Sequence, residues 1–236
     1  MEHHLKAGLL AVGLDTYWDQ FDGLLDRLIG YNNIIKNRME EGGNVGVIDA
    51  GMVDSVDKAV KAVDMMNSSG IDILFIFVST YALSSTIVPV ATRTNVPVIM
   101  LNLQPTPAID YARLNAMGDR GLMTGEWLAN CQACSIPEFC SVFNRAGTRY
   151  DIVSGYLDDT EAWTEISRWL MAASVPLKAR CFYTGPRLST EAEITSLRLL
   201  PTRRFTQRMR AMKPVRPAFP SACWRREIMT AQRALA

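Results

Sequence analysis

The chain has 236 residues, 48% of them hydrophobic and 21% charged, and its formal net charge is +1. This length allows a sizeable hydrophobic core, and the lack of about 18 consecutive apolar residues argues against a transmembrane helix. The near-neutral total is an average of two unlike parts, because residues 1–180 carry 14 Lys+Arg and 21 Asp+Glu whereas residues 181–236 carry 11 and 3.

Residues 1–180 alternate short apolar runs with amphipathic stretches, which predicts strands separated by helices. The predicted strands are Ala7–Gly13, Asn44–Ala50, Ile71–Val78, Val96–Leu101 and Asp151–Leu157. The predicted helices are Asp19–Met39, one capped by Asp54 or Ser55, one near Ser85–Thr94, Gly121–Cys134, Pro137–Ala146, and a last one through Trp163 and Ala173. This alternation implies βαβ units, so the predicted fold is α/β: an open parallel sheet of flavodoxin- or Rossmann-like type, with helices on both faces.

Residues 181–236 do not continue this pattern. Ten of their eleven basic residues are arginine, and five of the eleven prolines of the chain lie there. We expect a poorly ordered Arg/Pro-rich tail, either native or produced by a shift of reading frame near Lys178–Cys181. A nucleic-acid partner is disfavoured, because these arginines are not interleaved with aromatic residues as in recognisable nucleic-acid-binding modules.

In an open parallel sheet, ligands bind beyond the carboxyl ends of the strands. Asp15, Tyr17 and Trp18 follow the first predicted strand, Tyr81 follows the third and Gln104 the fourth. Aromatic rings beside hydrogen-bonding groups suit a sugar, because sugar C–H faces stack on rings while hydroxyls pair with amides and carboxylates. The pattern is equally compatible with Tyr17 and Trp18 packing the junction between strand and helix.

Cys131-Gln-Ala-Cys134 has the spacing of a redox or zinc motif. A redox pair lies at the start of a helix, where the helix dipole lowers the thiol pKa, whereas this pair falls at the end of the predicted helix Gly121–Cys134. Zinc needs further soft ligands, and only Cys140 is near. Small buried thiols are therefore favoured. The first residues lack a signal-peptide pattern and five cysteines form no secreted framework, so we expect a reducing, cytoplasmic location.

Several segments together resemble the L-fucose/L-arabinose isomerase family. They are Gly8–Trp18, Val98–Gln104, Gly125–Glu138, Phe143–Gly147 and Val153–Leu157. The resemblance runs in order from about Lys6 to Arg180 and covers the N-terminal domain of such an isomerase. It implies a domain that builds a homo-oligomer and lends a few residues to a neighbouring subunit's sugar pocket. By position these would be Asp15, Tyr17, Trp18, Tyr81 and Gln104.

The resemblance also implies where the chemistry resides. Aldose–ketose isomerisation needs an acid/base pair and a divalent cation, which the family supplies from paired glutamates and two histidines around Mn²⁺ in its later domains. The histidines of this chain are His3 and His4 alone. We therefore expect a truncated, catalytically inactive fragment of a carbohydrate-metabolism isomerase, without catalytic or metal-binding residues of its own.

Two other functions remain open at this stage. A stand-alone sugar-binding or oligomerisation module could derive from the same domain. A basic-tailed nucleic-acid binder is the less favoured alternative. Truncation would also expose part of the last helix around Trp163 and Trp169, which would promote self-association.

Overall fold

The computed structural model describes residues 4–174. Its five strands are β1 Leu5–Val12, β2 Val45–Val53, β3 Ile73–Val78, β4 Val98–Gln104 and β5 Tyr150–Tyr156. Its seven α-helices are α1 Leu24–Glu40, α2 Val56–Ser69, α3 Ser84–Arg93, α4 Tyr111–Ala116, α5 Arg120–Leu128, α6 Ile136–Ala146 and α7 Thr160–Ser174. The predicted tail, residues 181–236, lies outside the described residues.

All five strands are parallel, in the order β2-β1-β3-β4-β5. The predicted α/β class with an open parallel sheet is confirmed, and the order is that of flavodoxin-like folds. The chain adds β2 on one side of β1 and then β3, β4 and β5 on its other side. The direction of strand addition therefore reverses between β1 and β3, and this is the topological switch point of the sheet. The carboxyl ends of β1, β3 and β4 lie side by side.

The core consists of two apolar layers, one on each face of the sheet. Every residue of β3 is buried, as a central strand of a parallel sheet requires. Phe75 and Phe77 face the layer formed with α1 and α7, whereas Leu74, Ile76 and Val78 face the layer formed with α2, α3 and α6. The predicted placement of helices on both faces is therefore confirmed.

Local signals set most helix ends. Ser55 caps α2 by accepting a hydrogen bond from the Lys58 amide at 3.4 Å, as predicted. The first helix starts later than the predicted Asp19, at Leu24, after a 3-10 helix over Asp15–Tyr17 and the left-handed residue Gly23. The short helix α4 was not predicted.

The expected exposure of Trp163 is wrong. Its indole is buried in the α7 layer, where its N–H donates to the Leu157 carbonyl at 2.6 Å and Arg38 stacks 4.5 Å above the ring. Trp169 packs against the same layer. Within the described part of the chain, none of the helices combines the length and apolar character needed to cross a bilayer.

Candidate functional site

Trp18 lies at the carboxyl end of β1 and is fixed from two sides. Its indole N–H donates to the carboxylate of Asp54 at 2.9 Å, and that carboxylate, 4% exposed, also accepts from the Lys58 ammonium at 2.7 Å. On the other side the ring lies so close to Gly13 that a Cβ there would sit 2.8 Å from it. A side chain at position 13 would therefore displace the ring, and glycine permits the close approach.

Tyr17 lies beside Trp18, and Tyr81 lies near Tyr17. The ring of Tyr17 makes edge-to-face contacts with those of Trp18 and Phe21, at centroid distances of 6.4 and 6.0 Å. The pKa of Tyr17 is raised, mainly because burial disfavours the phenolate and additionally because Tyr81 is near enough to repel it. At neutral pH the Tyr17 phenol therefore stays protonated and can donate a hydrogen bond.

The remaining two predicted residues, Asp15 and Gln104, lie after β1 and at the end of β4. Asp15 is exposed and opens the 3-10 helix after β1. Gln104 ends β4, half-buried, and its side-chain amide donates to the side-chain oxygen Oδ1 of Asn102 at 3.4 Å. The structure therefore brings Tyr17, Trp18 and Tyr81 together, and it places Asp15 and Gln104 at the same sheet edge without a described contact to them.

A cluster of charged side chains lies next to this edge, and no sequence pattern predicts it. Glu126 on α5 receives two hydrogen bonds from the Arg27 guanidinium of α1, at 2.8 and 2.9 Å, and one from Arg113 of α4 at 2.7 Å. Arg27 also donates to the Tyr31 hydroxyl at 2.7 Å. These bonds hold the pKa of Glu126 below its usual value, chiefly through Arg27. Since Arg27 and Glu126 are 99 residues apart, no local pattern pairs them.

This cluster forms a wall between two cavities. One, of about 390 Å³, lies beyond the end of β4 and is lined by Tyr31, Pro105, Thr106, Asp110, Arg113 and Asn130 among others. The other, of about 540 Å³, has an acidic rim of Asp19, Asp22 and Asp119. Both cavities include Arg27 and Glu126. Cavities of this size can accommodate a small polar ligand, and paired charges beside hydroxyl and amide groups suit hydrogen bonding to one.

The carboxylates of Glu126 and Glu138 are both engaged by neighbouring groups. In the part of the chain from 4 to 174, no group of three or more His, Cys, Asp or Glu side chains is arranged to hold a metal ion. Glu126 is committed to two arginines, and Glu138 accepts from the Ser84 amide at 2.9 Å.

The interpretation of the CxxC motif as free buried thiols is wrong. Cys131 and Cys134 form a disulfide, with Cα atoms 5.4 Å apart. The predicted helix Gly121–Cys134 is also too long, because α5 ends at Leu128. The pair lies in a turn, Ala129–Ser135, that leads directly into α6, and we call this segment the CxxC turn. The motif thus precedes a helix start, which is the position that redox-active pairs occupy.

Comparisons with known proteins add little to this geometry. No protein-family model and no curated protein sequence matches the chain. Among solved structures it is similar to the lac repressor dimer bound to operator and the anti-inducer ONPF, with 14% sequence identity and a TM-score of 0.31. The match covers 74% of this chain and 63% of the repressor chain, so it spans less than two thirds of that protein's length. A likeness this distant carries no argument about ligand or function.

Proposed function

We propose that residues 1–180 act as the N-terminal α/β domain of an L-arabinose/L-fucose type aldose–ketose isomerase, in cytoplasmic carbohydrate metabolism. The observation that carries the proposal is the grouping of Tyr17, Trp18 and Tyr81 at the carboxyl edge of the sheet, next to the switch point. The ordered resemblance from about Lys6 to Arg180 gives this group its proposed ligand, a sugar.

The chemistry of the group supports a sugar partner. Aromatic rings offer apolar faces to sugar C–H groups, and tyrosine hydroxyl groups can hydrogen-bond with sugar hydroxyls. Asp15 is exposed at the same edge and can accept from hydroxyls. Because this surface is open, the proposed pocket is completed by a second subunit of a homo-oligomer, to which this domain contributes one wall.

The proposed domain binds and positions but does not isomerise. Moving a carbonyl between C1 and C2 requires a base to take a proton from one carbon and an acid to return it to the other. The resemblance implies that the acid/base pair, Mn²⁺ and its ligands come from other domains of the family. We therefore expect this chain to contribute sugar contacts and oligomer contacts alone.

Sugar binding is the first test. The full chain should bind L-arabinose or L-fucose saturably at millimolar concentration, measured by ligand-observed NMR. Trp18→Ala and Gln104→Ala should each weaken binding by about five- to ten-fold, through loss of stacking and of an amide partner. Trp127→Ala, a half-exposed tryptophan on α5, is the matched control and should leave binding unchanged. Absence of saturable binding by a folded chain would refute the proposed sugar contact.

Turnover is the second test. The purified full chain, incubated with Mn²⁺ and either aldose, should form no ketose above the uncatalysed rate, because it lacks the histidine ligands of the family. The assay is chromatographic detection of L-ribulose or L-fuculose, with an intact isomerase as the positive control. Metal-dependent ketose formation by this chain would contradict the assignment of catalysis to other domains.

A further inference from the structure

The CxxC turn is tied by side-chain hydrogen bonds to the loop between β3 and α3, Ser79–Leu83, here called the β3–α3 loop. Gln132, between the two cysteines, donates to the carbonyls of Ser79 at 2.9 Å and Ala129 at 2.8 Å. The hydroxyl of Ser135 donates to the Ala82 carbonyl at 3.0 Å and accepts from the Ala82 amide at 2.7 Å. Gln132 and Ser135 are fully buried, so these bonds are shielded from water.

Two more bonds extend the connection on either side. The Thr80 hydroxyl donates to the Leu128 carbonyl at 2.8 Å, and Glu138 accepts from the Ser84 amide at 2.9 Å. Tyr81 lies in the middle of the loop that these bonds hold. The position of Tyr81 beside Tyr17 therefore depends on the conformation of the CxxC turn.

The buried position of Gln132 leaves one of its polar atoms unsatisfied. Its side-chain carbonyl oxygen is buried and accepts no hydrogen bond from the residues that the structure describes. A buried acceptor without a partner destabilises the folded state, which partly offsets the two bonds that Gln132 donates, so a restricted backbone at Gln132 helps to keep its side chain in place. The disulfide closes a ring around Gln132 and restricts that backbone.

The two sulfurs differ in access. Cys131 is 2% exposed, whereas Cys134 is exposed and lies one residue before the N-cap of α6. An exposed disulfide with one buried partner can be attacked at a defined sulfur, and exposed disulfides are the ones most readily reduced. From this asymmetry and the hydrogen-bond network, we infer that Cys131–Cys134 is a reversible thiol–disulfide site whose reduction by a low-molecular-weight thiol releases the β3–α3 loop.

The reaction balances with two equivalents of thiol. A thiolate of the reductant attacks the sulfur of Cys134, forms a mixed disulfide there and expels Cys131 as a thiolate, which takes a proton from water. A second thiolate attacks the reductant sulfur of the mixed disulfide and releases Cys134, which is protonated in turn. The protein gains two electrons and two protons, and the reductant leaves as its own disulfide. Disulfides in reducing compartments are commonly transient or redox-sensing, which agrees with the proposed cytoplasmic location.

The test uses the full chain equilibrated in glutathione buffers that range from oxidised to reduced. Differential alkylation with peptide mass spectrometry gives the fraction of the pair that is oxidised. Hydrogen exchange reads the amides of Ala82 and Ser84, which donate to Ser135 of the CxxC turn and to Glu138 at the start of α6. Reduction should raise exchange of these two amides by about ten-fold, because their acceptors become mobile. The amide of Leu74, bonded within the sheet to the Pro97 carbonyl, should not change.

Two variants complete the test. Cys131→Ser combined with Cys134→Ser should exchange as the reduced protein does in every buffer, whereas Cys140→Ser, which removes a free cysteine of α6, should keep the full redox response. The inference would be overturned by a cysteine pair that never oxidises, by a disulfide that resists the most reducing buffer, or by equal hydrogen exchange of the Ala82 and Ser84 amides in both states. A rise that includes the Leu74 amide would also overturn it, since that is general loosening. None of these readouts involves sugar, so failure here leaves the isomerase proposal standing.

Discussion

Phe75→Ala is expected to lower the free energy of unfolding by about 4 kcal/mol. Phe75 is 0% exposed in the central strand β3, where it is paired in register with Leu9 of β1 and Ile99 of β4. Its ring fills the layer between the sheet and the helices α1 and α7. Truncation removes the buried ring and leaves a cavity that the strands on both sides cannot close, because their backbones are hydrogen-bonded to β3.

The measurement is urea denaturation of the full chain, followed by far-UV circular dichroism. Met65→Ala is the matched control, because Met65 is 42% exposed on α2 and its loss should change the free energy by about 0.5 kcal/mol or less. An effect of Phe75→Ala as small as that of the control would mean that this layer is loosely packed, contrary to the structure.

Glu126→Ala is expected to cost about 2 kcal/mol. Its carboxylate is 14% exposed and accepts three charge-assisted hydrogen bonds from Arg27 and Arg113, which join α5 to α1 and α4. Breaking a fully buried pair costs about 3–5 kcal/mol. We expect less, because the Arg27 and Arg113 side chains are 38% and 60% exposed and water can solvate the charges left behind.

The contribution of Glu126 should also depend on pH. The bonds from Arg27 hold the pKa of the folded-state carboxyl below its ordinary value of 4.5, so its stabilisation is fully present above pH 4.5 and is lost as pH falls through the lower folded-state pKa. The difference in unfolding free energy between wild type and Glu126→Gln should be constant from about pH 6 to 8 and shrink in acid. Urea titrations at several pH values measure it, with Glu41→Gln, an exposed acid after α1, as control. A difference that grows as pH falls would contradict the assigned direction.

Sequence periodicity predicts the five strands and most of the helices within residues 4–174. The run Ile71–Val78 identifies β3, found at Ile73–Val78, because a strand buried on both faces must be apolar at nearly every position. Amphipathic stretches identify the helices on either face for a related reason, since each must bury one side. The residues at the strand ends could be proposed as a group because parallel strands end at one edge of a sheet.

Features that depend on contacts between distant segments, such as the end of α5 and the partners of buried polar groups, follow only from the three-dimensional packing. The end of α5 at Leu128 has no clear local signal: its carbonyl bonds to Thr80, and Gln132 turns the chain towards Ser79. The helical spacing of apolar residues continues beyond Leu128, so it predicts a helix that includes the CxxC motif, although the motif lies after α5 and before α6. The pairing of Arg27 with Glu126 likewise follows from the packing of α5 against α1. Local patterns encode which face of an element is buried, but the partners of buried polar groups depend on strand order and loop paths, which act over the whole chain.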